Sequence, residues 1–182
     1  MSRAAVRASV HFLSVAVLAI SATRANGQGA TMTGRVADEQ AIRAVLDNQI
    51  KGWNTGDAVL HGRDVAEDVL FTNIRGQSFV GADAFTKQHA AILGTVFKNT
   101  TGSQDIEELK FLSDDIAVVK LITSVTGIAK MPGGPVLDAK GRLRTRLLEI
   151  LVRRGSTWKV VAYHNVDVKP GIDVPEPGAK YE

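Results

Sequence analysis

The 182-residue chain contains no cysteine. That excludes a disulfide framework, a thiolate metal site, a cysteine nucleophile and a lipid-modified cysteine. It also lacks a phosphate-cradling Gly-rich loop, a dinucleotide fingerprint after a strand and a G-x-S-x-G elbow, so no nucleotide cofactor is expected. Histidines at metal-ligand spacing such as H-x-x-x-H are missing too, and no metal is expected. Prolines number five, and three of them (Pro170, Pro175, Pro177) fall at the C-terminal end. A surplus of one charge is lacking as well, once the first segment is set aside.

That segment opens with Arg3 and Arg7, runs through the mostly apolar Val10 to Ile20, and ends in small residues around Ala25 and Gly27. Basic, apolar and small residues in that order form the layout of a secretory signal peptide. The apolar stretch is too short to span a bilayer, which takes about 20 residues. Residues 1–27 are therefore expected to be removed, leaving an exported chain with no membrane attachment. Arg3, Arg7 and Arg24 are three of the 22 basic groups; the 19 that remain balance 19 acidic ones. A near-neutral mature chain gives no warrant for nucleic-acid binding.

What is present is an ordinary globular composition, 45% apolar and 23% charged, long enough for one domain. Residues 28–36 read as a flexible lead-in, with Asp38 as a helix cap. Ile42, Val45, Leu46, Ile50 and Trp53 recur at offsets of three and four, one face of a helix. Asn54-Thr55-Gly56 ends it, and Asp57 caps a short second helix that carries His61 at the surface. A strand over 69–74, a turn at Arg75-Gly76-Gln77 and a short partner over 78–80 follow. A third helix carries Phe85, His89, Ile92, Leu93 and Val96 on one face. Beyond it the period becomes two. Four strands are expected near 104–112, 116–129, 142–153 and 157–168, with a Gly/Pro loop over 131–141. From 169 a loose tail is expected. Helices followed by a run of strands give an α+β fold: a strongly bent antiparallel sheet over about three helices, with a hollow for a small molecule between the layers.

The segments Gly52-Trp53-Asn54-Thr55-Gly56-Asp57 and Asp68 to Gly76, the helix from Gly81 to Phe97 with His89 inside it, and the ending Trp158 to Asn165 together resemble SnoaL-like domains of the nuclear transport factor 2-like (cystatin-like) superfamily, nearest the SgcJ/EcaC-type subgroup. The resemblance covers roughly 37–168. It implies a cone-shaped fold, a homodimer through the outer sheet face, and a pocket whose chemistry varies between members. Ketosteroid isomerisation in that superfamily uses a carboxylate base and a Tyr; the corresponding positions here are Asn73 and Gln49, and an amide is no base at neutral pH.

The candidate site residues follow. His89 and His164 are the acid–base candidates, because an unperturbed imidazole titrates near neutrality. His164 is placed inside the cone by counting in twos from Trp158 and Val160. Gln49, Trp53 and Asn73, with both histidines, are candidate ligand contacts. For each, a purely structural role is the alternative. Arg142, Arg144 and Arg146 alternate on one strand face, either as an anion-binding stripe or as partners for acids such as Glu107. Three functions stay open: an acid–base enzyme or binder of a small apolar, polyketide-like or steroid-like molecule; a non-catalytic dimerising module whose cone is filled; and an isomerase or cyclase using a carboxylate such as Asp47 or Glu149.

Overall fold

The computed structural model describes residues 32–129 and 133–179. The expected signal segment lies outside them. The elements are α1 (Met32–Thr55), α2 (Ala58–Gly62), β1 (Val65–Thr72), β2 (Ser78–Val80), α3 (Ala82–Leu93), β3 (Thr101–Phe111), β4 (Ile116–Thr126), β5 (Leu143–Arg154) and β6 (Thr157–Asp167).

Helix α1 starts earlier than the sequence suggests, so 32–36 are helical rather than a flexible lead-in. Asp38 is no cap. It is buried inside the helix and accepts hydrogen bonds from Trp158 Nε1 at 3.1 Å and Arg153 Nη1 at 2.9 Å. A buried carboxylate needs such partners, and these two tie α1 to β5 and β6. The apolar stripe is as read: Ile42, Val45 and Leu46 are in the core. Gly56, at φ +69°, turns the chain out of α1, and Asp57 caps α2 by accepting from Val59 N and Leu60 N.

The strands form one six-stranded sheet in the order β2-β1-β6-β5-β4-β3. Neighbours along β3 to β6 pair antiparallel, as short connections require. The sheet is not wholly antiparallel, because β1 joins β6 in parallel after the chain has passed through α3 and four strands. Helices pack on one face, and the main core lies between, with Phe85, Leu121, Leu151 and Val160 fully buried. Each such side chain contributes about 2 kcal/mol relative to exposure.

Two bulges bend the long strands. One in β6 breaks the register between Ile150↔Ala162 and Leu151↔Val160. It puts an extra residue, Val161, into the strand and reverses which face every later side chain takes. Trp158 and Val160 point inward before it, and Tyr163 points inward after it. His164 consequently faces out and is exposed, opposite to the expected placement.

The tail is not loose over the described residues. Glu176 accepts from Arg142 Nη1 at 2.7 Å and Lys140 Nζ at 3.0 Å, and Arg144 Nη2 donates to the Pro175 carbonyl at 2.6 Å. Arg142 and then Lys140 hold the Glu176 carboxyl down at about 2. Arg146 pairs with Glu107 at 3.0 Å. The alternating arginines thus serve internal partners, not a free anion-binding stripe.

Candidate functional site

A cavity of about 610 Å³ opens between the sheet and the helices, in the range of small-molecule sites. The cone is therefore not filled by its own side chains. Its wall carries aromatic and imidazole rings, Trp53 from α1, His61 from α2, Phe71 from β1, His89 from α3, Phe97 beyond α3 and Tyr163 from β6, with the polar Ser103, Thr123, Thr145 and Asn165 among them. Arg75 and Gln77 of the β1–β2 turn, and Gly133 to Val136 of the β4–β5 loop, stand at its exposed rim.

His89 sits where the α3 stripe predicts, buried to 3% exposure. Its Nδ1 lies 2.8 Å from the Phe85 carbonyl one turn back. A carbonyl oxygen only accepts, so Nδ1 carries the hydrogen and Nε2 keeps a lone pair. Burial, and then the neighbouring His61, hold its pKa well below the ordinary 6.5. It is a neutral imidazole at physiological pH.

His61 is the residue that sequence reasoning misplaced. It is buried, not at the surface. Its ring centroid is 4.4 Å from that of His89, and it stacks on Phe85 at 5.6 Å. Its Nδ1 donates to the Gln49 carbonyl at 2.8 Å, fixing the same tautomer as in His89. Nε2 is buried with no hydrogen-bond partner. Burial pulls its pKa down to about 4, against the Gln49 carbonyl, which favours the charged form. The signal for this burial was Gly52. A Cβ there would stand 2.3 Å from the His61 backbone nitrogen, so only glycine lets α2 lie this close to α1.

The remaining candidates divide. Trp53 is in the wall, its Nε1 donating to Thr100 Oγ1 at 3.2 Å. Asn73 reaches the cavity rim, but its side chain is occupied with the turn: Oδ1 accepts from Arg75 N and Gln77 N, and Nδ2 donates to Gln77 Oε1. Gln49 is buried and is not part of the wall; only its carbonyl serves the site, through His61. His164 is not in the wall. Asp47 is exposed on the far side of α1. Glu149 points into the molecule but is fully buried outside the cavity wall, with both carboxyl oxygens unpartnered. Burial pushes its pKa up to about 8, against the Gln49 amide beside it. A neutral carboxyl out of reach of the cavity is not the base of this site.

Behind the wall, Glu149 is paired in register with Tyr163. Burial, reinforced by Glu149, raises the Tyr163 phenol above its ordinary value, so Tyr163 stays a neutral hydroxyl that can donate or accept. Among the described residues no group of three or more His, Cys, Asp or Glu is arranged to hold a metal ion.

No protein-family model and no curated protein matches the sequence. Solved structures do match. One is an uncharacterized protein with a cystatin-like fold from Caulobacter vibrioides, 26% identical, with a TM-score of 0.58 over 72% of this chain and 89% of that one. The fold is cystatin-like. The same cystatin-like cone is shared with a putative scytalone dehydratase from Novosphingobium aromaticivorans, at 15% identity and a TM-score of 0.64 over 84% of this chain and 100% of that one. It is shared also with a hexachlorocyclohexane dehydrochlorinase, at 16% identity and a TM-score of 0.61 over 82% and 100%.

Proposed function

We propose that this chain binds a small, largely apolar molecule in the cavity and that His89 acts on it as a general base, with no nucleotide cofactor. The observation that carries this is the clamped, neutral imidazole in a cavity wall rich in aromatic rings. Its Nδ1 is fixed by the Phe85 carbonyl, which leaves Nε2 as the proton acceptor. Two structures with this fold are named for eliminations, of water and of hydrogen chloride. Both reactions begin with a base taking a proton next to a departing group. In such a step Nε2 takes the proton, the C–H electron pair becomes the new π bond, and the leaving group departs with its own electrons. Tyr163 offers a hydroxyl able to steady developing negative charge.

The finer placement among SgcJ/EcaC-type SnoaL-like domains rests on the sequence segments around Gly52–Asp57 and Trp158–Asn165. Export rests on the first 27 residues alone. A homodimer would use the outer sheet face, where Leu70, Ala162, Ile150 and Val118 lie side by side across four strands.

The test is α-proton exchange of 6-hydroxy-2-tetralone in D₂O, followed by NMR. This needs a base and no leaving group. The parent protein is expected to accelerate exchange over buffer, and His89→Gln to lose about 100-fold or more of that acceleration. Exchange no faster than buffer, or unchanged by the substitution, overturns the proposal.

A further inference from the structure

The three alternating arginines differ in what they meet. Arg142 reaches the Asp138 and Glu176 carboxylates at 2.8 and 2.7 Å, and Arg146 reaches Glu107 at 3.0 Å. Arg144 is the most buried of the three, at 4% exposure, and meets backbone carbonyls. Its Nε donates to Thr123 O at 3.3 Å and its Nη2 to Pro175 O at 2.6 Å. A carbonyl accepts a hydrogen without neutralising the charge, and among the described residues no carboxylate pairs with this guanidinium. A guanidinium carries five N–H hydrogens, and these contacts use two. Nη1 is not sealed, unlike Arg146 Nε on the same strand, so a solute can reach it.

Leu143 and Thr145 line the cone cavity, so Arg144 between them projects from the opposite face of the sheet. The segment after β6 crosses it there. Val168 N donates to the Arg144 carbonyl at 2.8 Å, and the segment is tied down again at Pro175 and Glu176. Between it and β5 lies a second cavity of about 310 Å³, lined by Arg144 together with the apolar Leu137, Val168, Pro170, Ile172 and Val174.

The charges around this cavity nearly cancel. Arg142 and Lys140 balance Asp138 and Glu176, and Lys169 is held by Asp167. Asp173 stands exposed in water at the edge. The buried Arg144 is the charge left without a counterion, and burial makes that costly. Asp138 and Glu176 in the same lining repel a dianion more than a monoanion. The planar edge of a guanidinium matches the two oxygens of a carboxylate.

We infer that this second cavity binds a short aliphatic monocarboxylate, its head on the free N–H groups of Arg144 and its chain against Leu137, Val168 and Val174. The site lies on the other face of β5 from the cone cavity and stands or falls independently of the role given to His89.

The experiment titrates butyrate, butyramide, butylammonium and inorganic phosphate at constant ionic strength into protein labelled with ¹⁵N at its arginine and histidine side chains, read by NMR. Butyrate is expected to bind about tenfold or more tightly than the other three, as a charge-assisted pair should. It should shift the Arg144 signals and leave those of His61 and His89 in place. Arg144→Gln should lose about tenfold or more of the butyrate affinity. That substitution also removes an anchor of the segment after β6, so a second variant is needed. Val174→Trp fills the cavity, keeps Arg144 and should weaken butyrate as much. Equal binding of the amide or the ammonium, tighter binding of phosphate, a response at the histidines in place of Arg144, binding that survives Val174→Trp, or no binding overturns the inference. Arg144 signals that follow protein concentration and ignore butyrate would give the guanidinium a carboxylate from a second copy, and overturn it too.

Discussion

Two buried polar pairs share one residue, and only one of them belongs to the site. Gln49 gives its carbonyl to His61 and sets its side-chain amide beside Glu149. On the cavity side, His61 and His89 are anchored at Nδ1 and face a space that a ligand can enter. On the sealed side, Glu149 has the Gln49 amide beside it, and the two border no cavity. Burial drives both pairs to their neutral forms: the imidazoles lose their affinity for a proton, and the carboxyl keeps its own. Burial and a displaced pKa are thus common to the two. Orientation fixed by a backbone carbonyl and access to a void distinguish the pair that can do chemistry from the pair that can only cost stability.

The largest expected effect breaks the sealed pair. The folded pKa of Glu149, about 8, lies above the ordinary 4.5. Between those values the folded state holds a proton that the unfolded state has released, so stability falls as pH rises through the window. Glu149→Gln should match the parent near pH 4.5 and outlast it above pH 8. The gap is expected to be on the order of 5 kcal/mol, since each pH unit between the folded and unfolded values is worth about 1.4 kcal/mol. Urea unfolding at the two ends reads this, and a gap independent of pH would show that the carboxyl is not the neutral group described.

The cavity pair has the opposite sign. His61 has a folded pKa of about 4 against 6.5 unfolded, and His89 is lowered too. Below pH 6.5 the unfolded chain takes up protons that the folded one refuses, so stability is lost as pH falls toward 4. Two histidines acting against one carboxyl place the stability maximum near pH 6.5. His61→Phe keeps a ring against Phe85 and should remove about 3 kcal/mol of that acid sensitivity. Thermal unfolding across pH 4 to 7 measures it. A variant as acid-sensitive as the parent would mean that His61 titrates normally in the folded state.

These pairs also mark how far sequence reading reaches. The stripe from Ile42 to Trp53, the Asp57 cap, the Arg75–Gln77 turn and His89 on its helix all follow from spacing, because one unbroken element fixes each. Glu149 could be placed inward from the alternation of Leu147 and Leu151, but whether it met a cavity depended on β6 and α1 together. His61 lies on a helix of five residues, too short to show a period. Its burial is written in Gly52, on another element, and shows only once α1 and α2 are packed. Asp38 was misread for a related reason: its partners, Trp158 and Arg153, are more than a hundred positions away.

The smallest expected effect sharpens the comparison from outside it. His164 satisfies every local criterion for an acid–base residue in the cone: the residue type, the strand, and the two-residue count from Val160. One inserted residue in β6 cancels that count. Its neighbour Tyr163 takes the wall position, and the imidazole stands exposed on the outer face beside Leu148 and Thr72. With no hydrogen bond to a backbone carbonyl to fix its tautomer and no void in front of it, it has neither of the two properties that set His61 and His89 apart. His164→Ala should therefore change stability by no more than about 0.5 kcal/mol, as surface substitutions do. Tetralone exchange should stay within twofold of the parent. Deleting Val161 should take out the bulge residue and leave Tyr163 facing in and His164 facing out, so exchange activity should persist. If His164→Ala alone abolished exchange while the fold survived, the strand would have to run without its bulge, and the assignment of the cavity wall would fall with it.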